Sequence, residues 1–302
     1  TSATKAQAFL ETLNMTNPWR KLARTLLTIA VFTLWVAHSP AKSQELQDWD
    51  RVKASGVLTV AVYNFLAPYS DQGKGIDVDI AKALADKLGL GLKVRPFNED
   101  EEFADDLRNM VWRGHYLAGG PADVLMHAPV DTYIMQKEDQ VLFFSPYTRD
   151  DIYVARNLQK LPTLDSLEPF SKPGNKIGAE AAALPSVMLA GADGAAYADN
   201  LVNFKTPKEA VDALVKGELV AVMATRAELE WALSLHKDKA SDFYVSKVPH
   251  NALPAQGWAV GMATKKSNRV LAEKLTVAMT ELRESGELAK IFARYGVKYM
   301  RP

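Results

Sequence analysis

The side chains that could catalyse a reaction or hold a metal ion are few and scattered. Ser145 and Ser186 lack the G-x-S-x-G setting that activates a nucleophile. Glu180, at the end of a predicted strand, could act as an acid in a pocket or be an ordinary strand-end residue. No metal-ligand spacing such as HExxH joins the histidines, which are His38, His115, His127, His236 and His250. We therefore expect no catalytic residues, no metal ion and no cofactor.

One regular stretch, residues 57–91, shows which elements must position any site. The β-branched run at 57–62 predicts a buried strand, and the loop at 63–74 is rich in turn residues. Asp77 is the expected N-cap of the following helix, and a second strand is expected at 92–94. Strand–helix–strand units build parallel sheets, and ligands lie beyond the carboxyl ends of such strands. The loop at 63–74 is therefore the first candidate site.

The same stretch carries a resemblance to a known family. Its sequence, GVLTVAVY…APYSDQGKGIDVDIAKALADKLGL, is similar to the opening of periplasmic solute-binding proteins of the polar-amino-acid family. Further similarity lies in FFSPY (143–147) and GWAV (257–260), so that the resemblance spans residues 49–299. It implies the α/β fold of a two-lobed type II periplasmic binding protein, in which each lobe is a mostly parallel sheet flanked by helices.

The resemblance also predicts how the chain is divided. Residues 44–150 and 253–302 are expected to form lobe 1, and residues 151–252 to form lobe 2. A hinge of two crossings is expected near residues 147–154 and 247–256. By this resemblance, the lobes should close like a hinge around the cleft between them.

Residues 1–43 are expected to be a signal peptide with some residues upstream of it. From Met15, a basic stretch leads into an apolar run at 26–37, and Ala41 and Ser43 satisfy the small-residue rule for cleavage after Ser43. The run is shorter than the roughly 20 residues that span a bilayer, so a membrane anchor is the weaker alternative. We expect export to the periplasm and no membrane insertion after cleavage.

Charge and cysteine content exclude several classes of function. Residues 1–43 hold five basic residues and one acidic residue, which leaves 31 basic and 35 acidic side chains of the 36 of each sign. The remaining chain has a net charge of about −4 and no basic patch of the kind that binds nucleic acid. The absence of cysteine excludes disulfides and cysteine-based metal sites.

The anchors with which this family holds an amino acid are not found at the matching positions. Ile134 or Met135 stands near the position of the Arg that binds the ligand's carboxylate, and Thr225 replaces the Asp that binds its ammonium group. Residues 181–184 (AAAL) replace the usual G-T or G-S clamp. Burying a zwitterion without partners costs several kcal/mol. We therefore expect that no standard α-amino acid binds.

Aromatic and apolar residues predominate at the positions expected to line the cleft. We expect the cleft, for a ligand or a partner, to be formed by Phe65, Tyr69, Asp131, Tyr133, Met135, Leu184, Thr225 and Arg226. If the cleft binds a partner protein instead of a solute, Tyr69, Tyr133 and Leu184 are expected at or near its rim. The alternative is that Met135 and Leu184 belong to the core and Arg226 faces solvent. Such a lining suits an apolar or weakly polar small molecule, or a segment of another protein.

A narrower resemblance points to one class of partner. The APVD…FFSPY segment is similar to divergent solute-binding proteins of methanol-oxidation systems, which accompany periplasmic quinoprotein dehydrogenases. This resemblance implies a non-enzymatic accessory protein of such a dehydrogenase. Two alternatives stay open: a receptor that delivers a small non-amino-acid solute to an ABC permease and, less expected, a lyase on the same scaffold.

Overall fold

The computed structural model describes residues 48–302 except 116–118, 252, 254 and 255. The predicted signal peptide and upstream residues (1–43) lie outside the described residues. The helices are α1 (Asp48–Ser55), α2 (Ile76–Lys87), α3 (Phe103–Leu107), α4 (Thr132–Lys137), α5 (Leu184–Ala195), α6 (Pro207–Val215), α7 (Arg226–Ser234), α8 (Arg269–Glu284) and α9 (Glu287–Arg294). A π-helical turn, Arg108–Trp112, extends α3.

Ten strands form two sheets of five. The first sheet has the order β2-β1-β3-β10-β4, and the second has the order β7-β6-β8-β5-β9. The strands are β1 (Val57–Tyr63), β2 (Gly91–Phe97), β3 (Val124–Pro129), β4 (Val141–Asp150), β5 (Ile152–Asn157), β6 (Ile177–Glu180), β7 (Leu201–Phe204), β8 (Ala221–Thr225), β9 (Phe243–Ser246) and β10 (Trp258–Lys265).

The two sheets share one pattern of strand directions. In the first sheet β1 is parallel to β2 and β3, and in the second β6 is parallel to β7 and β8. In each sheet the antiparallel strand is the one that arrives from the other sheet: β10 in the first and β5 in the second. The predicted two-lobed α/β fold is confirmed, with mixed sheets. The exact limits of the lobes stay a prediction.

Local sequence explains how the main elements form. β1 (VLTVAVY) is nearly all β-branched or apolar, and its inner residues are buried. Helix α2 buries Ile76, Ile80 and Leu84 at helical spacing against the first sheet. Thr206 caps α6 by accepting a hydrogen bond from the Glu209 amide, as its position before a proline suggests.

Apolar side chains cover both faces of each sheet, so each lobe has its own core. One face of the first sheet packs against α2, α8 and α9, and the other face packs against α3 and the π-helical turn. The second sheet is covered by α5 on one side and by α6 and α7 on the other. Within the described residues, no helix is long and apolar enough to cross a membrane.

Candidate functional site

Two adjoining cavities lie between the sheets. The first, of about 190 Å³, is bounded by Trp258 of β10 on one side and by Leu184, Pro185 and Met223 of the second lobe on the other. The second, of about 130 Å³, lies between the loop after β1, which contributes Phe65, and the start of α6. Pro207 and Glu228 line both cavities. The candidate site is therefore a small cleft between the lobes, close to the loop at 63–74.

Glu228 is the central polar group of this cleft, and it was not predicted from the sequence. Its Oε2 accepts hydrogen bonds from the Thr225 amide (3.0 Å) and the Thr225 hydroxyl (2.8 Å). The first of these bonds, together with the bond that the Glu228 amide donates to the Thr225 hydroxyl, forms the capping box of α7. Burial and the nearby charge of Asp150 raise the pKa of Glu228 to about 8, although the bonds from Thr225 oppose the rise. Glu228 is therefore largely protonated at neutral pH. The T-x-x-E spacing signals a helix start but gives no indication of a cleft.

Glu180 also lines the first cavity, at the end of β6. Burial raises its pKa, and the charge of Glu99 adds to the rise. No basic side chain lines this first cavity among the described residues. Its polar groups are thus Glu180, Thr225 and Glu228, which suit a hydrogen-bonding or positively charged group better than a carboxylate.

Tyr69 does not lie at the rim of the cleft, and that expectation is wrong. Its side chain is only 2% exposed, and its hydroxyl donates a hydrogen bond to Asp150 at 3.3 Å. Its ring lies against His127 with the ring centroids 4.1 Å apart. Tyr69 follows Pro68 at the base of the loop, where the chain returns to the core and enters α2, so the side chain packs inward.

A buried polar network lies beneath the cleft in the first lobe. The Tyr147 hydroxyl donates to Asp77 at 2.5 Å and accepts from the His127 amide at 3.1 Å. Nδ1 of His127 is 3.2 Å from Oδ2 of Asp77, an ion-pair distance without the angle of a directed hydrogen bond. Burial is the largest single influence on the His127 pKa and lowers it, but the contact with Asp77 and the charges of Asp77, Asp150 and Glu228 together raise the pKa. The predicted N-cap role of Asp77 is wrong: Gly75 is the N-cap of α2, and Asp77 holds this network.

Arg226 is buried and already bound within the protein, rather than facing solvent. Its guanidinium contacts Glu230 at 2.6 Å and donates to the Lys298 carbonyl at 2.7 Å. It lies at the start of α7, directly after β8, and its amide donates to the carbonyl of Asp151, which lies between β4 and β5. Asp131 likewise has a local partner, because its carboxylate caps α4 by accepting from the Tyr133 amide.

Four of the remaining predicted residues are large, exposed and apolar, and together they are here called the exposed apolar rim. Tyr133 is 73% exposed and Phe65 is 66% exposed, and Met135 and Leu184 are each 43% exposed. Phe65 and Leu184 contribute to the two adjoining cavities, whereas Tyr133 and Met135 lie on α4, which follows β3 at the same sheet edge. Phe65 has a φ of 59°, a left-handed conformation that costs a non-glycine residue about 1 kcal/mol or more. Such strain is concentrated at functional sites in folded proteins.

Comparison with solved structures shows the fold. An ancestral cationic amino acid solute-binding protein aligns with a TM-score of 0.64 and 18% identity, over 82% of this chain and 98% of that protein. An amino acid ABC transporter substrate-binding protein from Streptococcus pneumoniae, bound to L-arginine, gives 0.58 and 22%, over 83% and 98%. At these identities the likeness concerns fold alone.

Comparison of sequences extends to a curated enzyme and to a family. Cyclohexadienyl dehydratase of Pseudomonas aeruginosa is 28% identical over 168 residues, which cover 53% of this chain and 55% of the enzyme. The chain thus spans about half the length of this relative. The profile of the bacterial extracellular solute-binding proteins, family 3, matches residues 58–298, from the first strand of the first lobe to the C-terminal residues that cross to α7. With both sheets and the cleft between them inside that match, the chain belongs to the bacterial extracellular solute-binding proteins, family 3.

Proposed function

We propose that this chain is a non-enzymatic periplasmic accessory protein, which uses its cleft to bind a partner protein instead of carrying an amino acid. The observation that carries the proposal is the exposed apolar rim of Phe65, Tyr133, Met135 and Leu184. Aromatic and long aliphatic side chains are the usual anchors of protein contacts. In a receptor for an amino acid we would instead expect a basic side chain in the first cavity, and none of the described residues that line it is basic.

The partner that we propose is a periplasmic quinoprotein alcohol dehydrogenase. The support is the similarity of the APVD…FFSPY segment to solute-binding proteins of methanol-oxidation systems. Purified chain should retain the dehydrogenase in a pull-down from periplasmic extract. Tyr133→Arg and Leu184→Arg should each weaken that retention at least tenfold, because a charge would be buried at a hot spot of the contact.

A matched control uses an exposed apolar residue away from the cleft. Val277 of α8 is 60% exposed, so Val277→Arg adds the same charge outside the rim. It should leave retention unchanged. All three variants should keep the melting temperature of the wild type, since each position is exposed. Recovery of a permease without a dehydrogenase, or equal loss with Val277→Arg, would contradict the proposal.

A second candidate is a receptor that delivers a small non-amino-acid solute to an ABC permease. The observation that favours it is the cavity of about 190 Å³, with Trp258 and Glu228 in its wall. In that case the rim variants should abolish uptake of the solute. A lyase is a third candidate, because Glu180 and Glu228 line the same cavity and the chain is similar in sequence to a dehydratase. Loss of a measured lyase activity in Glu228→Gln would support that reading.

A further inference from the structure

The C-terminal residues 295–300, here called the C-terminal strap, contact both lobes. On the first lobe, the Tyr295 hydroxyl donates to Asp79 at 3.0 Å, and the Thr148 hydroxyl donates to the Met300 carbonyl at 3.2 Å. Val297 is buried in the core of the first lobe, and the Tyr299 ring packs on Phe292 with the centroids 5.2 Å apart. The strap is therefore fixed to the first lobe at several points.

The same strap is held by α7, which connects β8 and β9 of the second sheet. Both backbone groups of Lys298 are bound: its amide donates to Glu230 at 2.8 Å, and its carbonyl accepts from Arg226 at 2.7 Å. Arg226 and Glu230 are themselves paired at 2.6 Å, which closes a ring of three contacts. The Arg226 side chain is 9% exposed and the Glu230 side chain is 21% exposed, so water screens these charges little.

Packing reinforces these hydrogen bonds. Ala227 is buried in the core of the first lobe, and Trp231 packs against that core, although both residues belong to α7. Gly296 lies against Ser234 with a φ of +71°, and a Cβ at this position would lie 2.4 Å from the Ser234 Cβ. Only glycine fits there without displacing α7 or the strap. The contact between strap and helix is thus close as well as polar.

We propose that the C-terminal strap fixes the angle between the lobes, so that the cleft is a preformed groove that does not open and close. This replaces the hinge closure that the family resemblance implies. The role of a fixed groove rests on the proposed function, the binding of a partner protein. A groove of fixed shape presents the exposed apolar rim to that partner without the entropic cost of ordering two mobile lobes. Changes at the strap should therefore act on lobe motion, and only indirectly on the rim.

Distances between the lobes test the proposal. The chain has no cysteine, so Gln136→Cys on α4 and Lys205→Cys near α6 place one spin label on each lobe. Double electron–electron resonance should give one narrow distance for the otherwise wild-type chain, with and without partner. Arg226→Met with Glu230→Met, which removes the charged pair together, should broaden it and add a population that differs by more than about 2 Å. Truncation after Val297 should do the same.

The control is an ion pair whose two residues belong to the same lobe. Lys82 and Asp86 are paired one turn apart on the exposed face of α2, and Lys82→Met with Asp86→Met should leave the narrow distance unchanged. Two well-separated distances in the wild-type chain would overturn the proposal. So would a narrow distance that persists in both folded strap variants. If the wild-type chain gives one narrow distance but does not retain the dehydrogenase, the proposed function is refuted and the inference that the strap fixes the lobe angle is not.

Discussion

The floor and the rim of the cleft distribute polar and apolar side chains in opposite ways. The floor is the polar network beneath the cleft, in which Asp77 and Tyr147 are buried and hydrogen-bonded to each other and Nδ1 of His127 contacts Asp77. At the rim, the large apolar side chains of Phe65 and Tyr133 face solvent. Folded proteins usually bury the apolar groups and expose the charged ones. The floor therefore contributes to the stability of the fold, whereas the rim contributes little to stability and can bind a partner.

The largest expected effect comes from breaking the floor. Asp77→Ala should lower the free energy of unfolding by about 3–5 kcal/mol, because it leaves the Tyr147 hydroxyl and a buried His127 without their partner. Urea denaturation followed by circular dichroism measures it. Asp86→Ala breaks only an exposed ion pair and should cost less than about 1 kcal/mol. Similar losses in the two variants would refute the comparison.

The next largest effect is on the pH dependence of the free energy of unfolding, and it tests whether the Glu228 carboxyl is buried. Its pKa of about 8 in the folded state exceeds the pKa of 4.5 that a glutamate ordinarily has, so the folded state binds the proton more tightly. The stability from this group is therefore complete below about pH 4.5 and is lost as the pH rises to about 8. Each unit of difference is worth about 1.4 kcal/mol, which gives a few kcal/mol in total.

Comparison with Glu228→Gln isolates this contribution. Glutamine keeps an acceptor for Thr225 but cannot ionise. The variant should gain stability relative to the wild type between pH 5 and pH 9, and the difference should be largest at the alkaline end. Asp150, whose pKa burial raises to about 6, should produce a separate loss at lower pH that both proteins share. Parallel curves for the two proteins over this range would show that Glu228 is not buried as described.

The sequence predicts the elements well because local patterns determine them. The apolar period of α2 and the threonines that cap α6 and α7, Thr206 and Thr225, are local sequence patterns of this kind. The predicted βαβ unit forms, with β2 parallel to β1. Each of these features depends on residues within one or two helical turns of one another. The fold class follows from them together with the family resemblance.

The details of the site could not be predicted, because they depend on contacts between distant parts of the chain. Asp77 fits the local pattern of an N-cap, but its partner Tyr147 is 70 residues away. Tyr69 follows a turn-rich loop and still packs into the core. Arg226 is bound to Lys298, 72 residues further along the chain. No local pattern reveals such pairs, so both the network and the strap had to be found in three dimensions.

A small effect is expected at the rim. Tyr133→Ser and Phe65→Ser should each change the free energy of unfolding by less than about 0.5 kcal/mol, because both side chains are mostly exposed. Urea denaturation again measures it, and Tyr147→Phe, which removes only a buried hydroxyl, provides the contrast with a loss of about 1–3 kcal/mol. A rim variant that destabilises as much as Tyr147→Phe would mean that the rim belongs to the core.

The last prediction is that amino acids have no effect on the melting temperature, and it concerns the cleft between floor and rim. Standard polar amino acids at 1 mM should leave the melting temperature unchanged, since no basic side chain among the described residues lines the first cavity to bind a carboxylate. A dissociation constant of about 10 μM would stabilise the folded state by about 2.7 kcal/mol at that concentration, which corresponds to a shift of several degrees. The assay therefore separates the outcomes clearly. A receptor that binds L-arginine, run in parallel, confirms its sensitivity. Lys208, in the wall of the second cavity, is paired with Asp212 at 2.7 Å, and a shift of several degrees with any one amino acid would show that the cleft can still anchor a carboxylate, with Lys208 as the candidate cation.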